Sequence, residues 1–215
     1  MLSVFSPLLT TTLEYQNWGV NALTVSFFLS VAITLITAWG LVQQHQTIWR
    51  KREVEAISVF WLTYNAMLQI VILIYGSSIH SAALVVNGFL ALAYIPILAG
   101  LWKFKGYSLL EKISVMVFIA AILAMVLLPF KSQFFFILAL GGLFSASMQP
   151  LEMWRKKSAR GVNIRFIGIL ILGNIIWFTY GVAVRGWVLI VVNAIAFCIF
   201  GITVLLWRRY RNTGR

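Results

Sequence analysis

The chain has 215 residues, of which 61% are hydrophobic and only 10% charged, and a formal net charge of +12. A water-soluble domain carries nearer ~25% charged residues, so this chain lacks the polar surface to coat a globule. Its apolar residues come instead in runs of about 20, the length a helix needs to cross a bilayer. A polytopic, all-α integral membrane protein is expected, with the lipid bilayer as its first partner. The basic residues sit in short caps between apolar runs, which argues against a nucleic-acid partner. A single cysteine, Cys198, allows no intrachain disulfide. Two histidines and no aspartate leave little for a metal site, and no cofactor is expected.

Seven transmembrane helices are predicted, over 20–44, 57–78, 81–102, 112–129, 133–150, 164–183 and 187–207. Residues 1–19 read as an extracytoplasmic segment. No Lys or Arg precedes residue 50, so the basic region of a secretory signal is missing and the first apolar run is expected to be retained. On the first helix Ser26, Ser30, Thr34 and Thr37 fall on one face, a stripe most simply explained by hydroxyls bonding their own backbone. The second helix carries Asn65, Gln69, Ile72 and Gly76 on one face, and the third carries Asn87. From Val115 to Leu128 the fourth has no polar side chain, as suits a lipid-facing linker. The fifth ends at Met148-Gln149-Pro150, the sixth carries Asn174, Trp177 and Gly181, and the seventh carries Asn193.

Charge sets the orientation. The N-terminus and the loops after the second, fourth and sixth helices hold 2 Lys/Arg, Lys131 and Arg185, whereas the other loops and the basic tail, 208–215, hold 15. The N-terminus is therefore placed outside and the C-terminus in the cytoplasm, with the cell membrane as the expected location. An even number of helices would destroy this segregation.

The chain also repeats itself. A shift of 105 residues lays Gln44 on Gln149, Trp49-Arg50-Lys51 on Trp154-Arg155-Lys156 and Tyr75-Gly76 on Tyr180-Gly181. One further residue of shift lays Leu84-Val85-Val86-Asn87 on Ile190-Val191-Val192-Asn193. Three helices per repeat would invert the second copy unless one helix intervened. The expected architecture is 3+1+3: a first three-helix bundle over 20–102, a linker and inversion helix over 103–130, and a second bundle over 131–207. A solute site is then expected near the midplane between the repeats.

These features resemble the PQ-loop superfamily and, within it, the SWEET (MtN3/saliva) sugar transporters. The resemblance rests on Met148-Gln149-Pro150, on the run from Trp154 to Gly161, on Trp177-Phe178-Thr179-Tyr180-Gly181 and on Asn193. A worn version stands in Gln43-Gln44, Trp49 to Glu55, Tyr75-Gly76 and Asn87. Gln43 and Met148 replace the proline of the P-Q pair, and Ile72 stands where these transporters usually carry a tryptophan. The resemblance implies alternating access between the bundles, a small polar solute such as a mono- or disaccharide, and gating positions at Gln44, Gln149 and Pro150. A second copy of the chain is a candidate partner. Other solutes known to the superfamily, amino acids or nucleoside-like vitamin precursors, remain open, as does a receptor or scaffold role.

Asn87 and Asn193 are the favoured solute contacts. A carboxamide offers two donors and an acceptor pair, suited to vicinal hydroxyls, and the resemblance implies the same pair. Gln69 and Asn174, repeat mates, either join them or cross-link helices. Trp177 stands apart from tryptophans at expected interfaces and offers a flat face for stacking, with Ile72 opposite it in the repeat. The only acids are Glu14, Glu53, Glu55, Glu111 and Glu152. None is expected at the midplane. His80 at the outer rim and Glu152 at the cytoplasmic mouth are the nearest titrating groups, so passive, bidirectional transport is expected. The last lysine, Lys157, precedes the sixth helix, which removes a retinal Schiff base. No nucleophile lies near a base, so catalysis is not expected.

Overall fold

The computed structural model describes residues 11–52, 59–157, 159 and 164–211. Their regular structure is helical: a short α1 (Leu13–Gln16), α2 (Ala22–Gln46) running into a π-helical turn (Thr47–Lys51), α3 (Val59–Ser78), α4 (Ala82–Gly88), α5 (Leu90–Phe104), α6 (Leu109–Leu127), α7 (Lys131–Lys156), α8 (Ile164–Ala183) and α9 (Trp187–Tyr210). Four stretches are long and apolar enough to cross a membrane: Ala22–Arg50, Ala82–Phe104, Leu109–Leu127 and Trp187–Tyr210. Three shorter apolar stretches, Leu62–Ser78, Lys131–Phe144 and Ile167–Ala183, fall on α3, α7 and α8. The chain divides into two compact units, Met1–Phe135 and Phe136–Arg215, with the boundary inside α7.

Local chemistry explains the helix ends. Asn21 Oδ1 accepts from Thr24 N at 2.9 Å, opening α2. Ser108 and Glu111 form a reciprocal capping box at the start of α6, which satisfies two otherwise unpaired backbone donors. The third predicted helix is in fact two, α4 and α5, parted at Phe89. There the backbone tightens, Leu92 N donating to Phe89 O at 3.0 Å. The fifth predicted helix does not stop at Pro150. Helix α7 continues to Lys156 with Pro150 buried inside it, although proline supplies no N–H to the preceding turn. Glu53, Glu55, Ser158, Arg160 and Gly161 lie outside the described residues, as do the side chains of Gln149 and Glu152.

In the first unit, Leu41 and Ile48 pack with Val59, Leu62 and Ala66 of α3 and with Leu90, Tyr94, Ile97 and Leu101 of α5. Helix α6 buries only Phe118 and Met125. Phe118 sits edge-on to Tyr64 at 5.4 Å and against Phe60 at 5.6 Å. The second unit is built on the α8–α9 hairpin. Helix α7 meets it where Phe136 packs on Trp187 at 5.2 Å and where Met153 clusters with Ala159 and Tyr210.

The 105-residue repeat is written into the backbone. The bounds of α3 and α8 differ by that spacing at both ends. Ser81 N donates to Gly76 O and His80 N to Ser77 O, and 105 residues on Gly186 N donates to Gly181 O and Arg185 N to Val182 O. Each set is a Schellman closure of the preceding helix. His80 and Arg185 occupy its left-handed position at φ 55 and 54, and Arg52 and Lys157 form a second left-handed pair at φ 57 and 46. Gly76 and Gly181 permit the hairpins to close: a Cβ would come within 2.6 Å of Leu84 Cβ in one and 2.8 Å of Leu189 Cβ in the other.

Leu84 and Leu189 are themselves 105 residues apart, so the register does not slip on entering α4 and α9. This corrects the one-residue shift used to align the two asparagines. In the backbone register Asn87 corresponds to Val192, and Asn193 to Gly88. A one-residue offset turns a side chain by about 100° around a helix of 3.6 residues per turn.

Candidate solute site

In the first repeat three helices contribute to one polar chain. Thr34 on α2 lies with its hydroxyl 2.7 Å from Ser30 O and 3.1 Å from Asn87 Oδ1, sharing its single proton between them. Asn87 on α4 donates through Nδ2 to Gln69 Oε1 on α3 at 3.1 Å. Among the described residues nothing else meets the Gln69 amino group, which keeps two donors for a solute. Ser26, Ser30 and Thr37, the rest of the stripe, each donate to a carbonyl of their own helix. Thr34 alone of that stripe reaches another helix. Ile72 is half-buried on α3 and adds only an aliphatic wall.

The second repeat uses its carboxamides differently. Asn174 Nδ2 donates to Leu170 O at 2.6 Å, and Asn193 Nδ2 to Leu189 O at 2.7 Å. A carbonyl can only accept, so these bonds fix which end of each amide is nitrogen. Each Oδ1 is thereby turned from its own backbone, and among the described residues neither has a partner. Both asparagines line a cavity of about 340 Å³ between α8 and α9, with Ile175, Phe178, Ala194, Phe197 and Cys198 as its other walls. Two acceptors among aromatic and aliphatic surface suit a compact solute with hydroxyl or amino donors and an apolar face.

Trp177 does not line this cavity. It is half-buried, with its ring edge-on to Tyr180 at 5.7 Å. Phe178, the next residue, does line the cavity. Phe178 and Phe197 were not singled out by sequence, although Phe197 follows Asn193 by one helical turn. Gln44 is half-buried just before the π-helical turn, and Pro150 is buried within α7. Among the described residues no cluster of His, Cys, Asp or Glu could hold a metal ion.

Residues 132–215, which span the α8–α9 cavity, match the MtN3_slv family, described as a sugar efflux transporter for intercellular exchange. Over that segment the chain is similar to the SWEET/MtN3 transporters. No curated protein matches it. The match covers α8 and α9 entire and nearly all of α7, so the SWEET/MtN3-like part carries Asn174, Trp177 and Asn193. Its apolar helices mark the chain as an integral membrane protein.

Two carboxylates have structural partners. Glu111 belongs to the α6 capping box. Glu14, in the N-terminal segment, is buried at 2% exposure and accepts three hydrogen bonds, from Ser81 and from the first two residues of α4.

Proposed function

We propose that this SWEET/MtN3-like protein is a passive, bidirectional carrier of a small polar solute, a mono- or disaccharide. It works by alternating access of two three-helix bundles in a seven-helix, 3+1+3 chain, with the N-terminus outside and the C-terminus cytoplasmic. The observation that carries this reading is the sugar-transporter match over the same segment that forms the Asn174–Asn193 cavity. Asn87 and Asn193 contact solute hydroxyls, Gln69 and Asn174 assist them, and Trp177 and Ile72 form unequal walls. Gln44, Gln149 and Pro150 serve as the cytoplasmic gating positions. Passive transport is supported by the tasks of Glu14 and Glu111, both taken up in capping backbone rather than relaying a proton.

The test is flux of radiolabelled sugars into and out of proteoliposomes under inward and outward gradients. The Phe178 and Phe197 walls would also take a flat heteroaromatic solute, so nucleosides and amino acids belong in the same panel. Saturable flux of a sugar in both directions supports the reading. Flux of only the other solutes would transfer the site to them.

A further inference from the structure

Helix α4 has seven residues, Ala82–Gly88, and is parted from α5 at Phe89. The start of a helix leaves backbone N–H groups without an intrahelical acceptor. Every one of the four leading N–H groups of α4 nevertheless has a partner. Leu84 N donates to Ser81 Oγ at 3.2 Å, and Val85 N to Ser81 O at 3.1 Å. The first two donors, Ala82 N and Ala83 N, go to Glu14 Oε2 at 2.9 Å and Oε1 at 3.0 Å. The Ser81 hydroxyl donates to the same carboxylate at 3.2 Å. Leu13 N also donates to His80 O at 2.9 Å, so α1 is tied twice to the turn and the start of α4.

Among the described residues the second repeat has no counterpart. Gly186 caps α9 without a side-chain bond, and α9 runs unbroken to Tyr210. Helix α4 leads through the tightened turn at Phe89 into α5, the two forming one apolar stretch, Ala82–Phe104, whose leading piece Glu14 holds. Asn87 stands about one turn beyond Ala83 on that piece. Its two bonds, to Thr34 and Gln69, depend on where the piece lies.

We propose that Glu14 is a positioning residue for Asn87: its buried carboxylate fixes the leading end of α4, and with it the reach of Asn87 to Thr34 and Gln69. The proposal rests on the reading of Asn87 as a solute contact. Glu14 itself touches no solute. A carboxylate is suited to the task because all its oxygen sites accept, and charge-assisted bonds to backbone N–H are roughly twice as strong as neutral ones. In Glu14→Gln an amino group replaces one oxygen and faces N–H groups it cannot accept from.

The experiment compares wild type, Glu14→Gln and Ser81→Ala, each as the full chain in nanodiscs and in proteoliposomes. Backbone amide exchange is read over 82–88 and, as an internal reference, over 190–196. Glu14→Gln should speed exchange over 82–88 by about tenfold, equivalent to ~1.4 kcal/mol, and leave 190–196 unchanged. Ser81→Ala should move the same segment less. In flux assays Glu14→Gln should raise KM at least about threefold, part of what one hydrogen bond contributes. A merely structural defect would instead lower the amount of active protein at constant KM. Unchanged exchange over 82–88 in Glu14→Gln would overturn the proposal whatever the flux. Faster exchange with an unaltered KM would overturn it too. Wild-type flux in Asn87→Ala is the distinct result that would sink the site reading beneath it.

Discussion

At Gly88 the first repeat closes on itself: a Cβ there would lie 2.6 Å from the backbone of Leu73. At the same backbone position the second repeat has Asn193, which lines a cavity with Phe178, the residue 105 after Leu73. The ends of the repeats at Trp49 and Trp154 differ in the same sense. Trp49 lies against Gly100, where a Cβ would come within 2.8 Å of its Nε1, and donates to Pro96 O at 2.8 Å. The position 105 after Gly100 is Leu205, and Trp154 is 59% exposed. Two repeats with the same hairpin backbone have thus diverged in packing. The first is cross-linked from helix to helix through side chains. The second satisfies its amides within each helix and keeps space between helices. Common backbone geometry therefore does not imply a symmetric site, and the comparison can be broken at specific residues.

The largest effect is expected at Gly88. Gly88→Ala places a Cβ against the Leu73 backbone, which cannot withdraw as a side-chain tip can. Overpacking of this kind costs about 1–3 kcal/mol. Gly201 has nothing within 4 Å of a built Cβ, so Gly201→Ala should leave stability unchanged. Thermal unfolding in detergent measures both, and equal shifts would deny that the first repeat is the tighter.

Next is Asn87→Ala. It removes both of the side chain's bonds and strands Gln69 Oε1, while Thr34 keeps its bond to Ser30 O, at a cost of about 1–3 kcal/mol. Flux should fall roughly tenfold or more with expression intact. Asn193→Ala should also remove most flux, but without the loss of stability, since its own bond is to Leu189 of the same helix. A melting-temperature shift as large as that of Asn87→Ala would contradict the division of labour between the repeats.

Aromatic walls should matter less. Phe178→Ala is expected to weaken solute binding by about 0.5–1.5 kcal/mol, the scale of a ring contact, or severalfold in Kd. Trp177→Ala should weaken it more than Ile72→Ala. Direct binding titrations decide whether Phe178 or Trp177 is the principal face.

The smallest effect concerns the two tryptophans Trp49 and Trp154. Trp49→Phe keeps a ring but loses the bond to Pro96 O, worth about 1 kcal/mol, whereas Trp154→Phe should be neutral. Equal unfolding midpoints would remove this element of the comparison.

The sequence was most informative where local chemistry decides the outcome. The bounds of α8 were read at 164–183 and stand there, because Schellman closure and apolar length are properties of neighbouring residues. The break at Phe89 was not legible, since 81–102 is a single apolar run and no turn residue marks the joint apart from Gly88. The burial of Glu14 was not legible, because its partners lie 67 to 69 residues away. Only tertiary structure brings a carboxylate that far along the chain to a helix end. Aligning Asn87 with Asn193 matched side-chain identity, whereas the backbone kept its 105-residue register. Phe178 was passed over for Trp177 because the choice turns on one residue, about 100° around α8, and so on where α9 lies.

Accumulation tests the central claim, passive carriage, most directly. Proteoliposomes containing the protein are equilibrated with a radiolabelled sugar that it carries, with and without an imposed pH gradient, and the final internal concentration is measured. A passive carrier brings inside and outside to the same level in both conditions and shows counterflow with no ion gradient at all. Internal sugar above the external level, collapsing when a protonophore is added, would contradict the account.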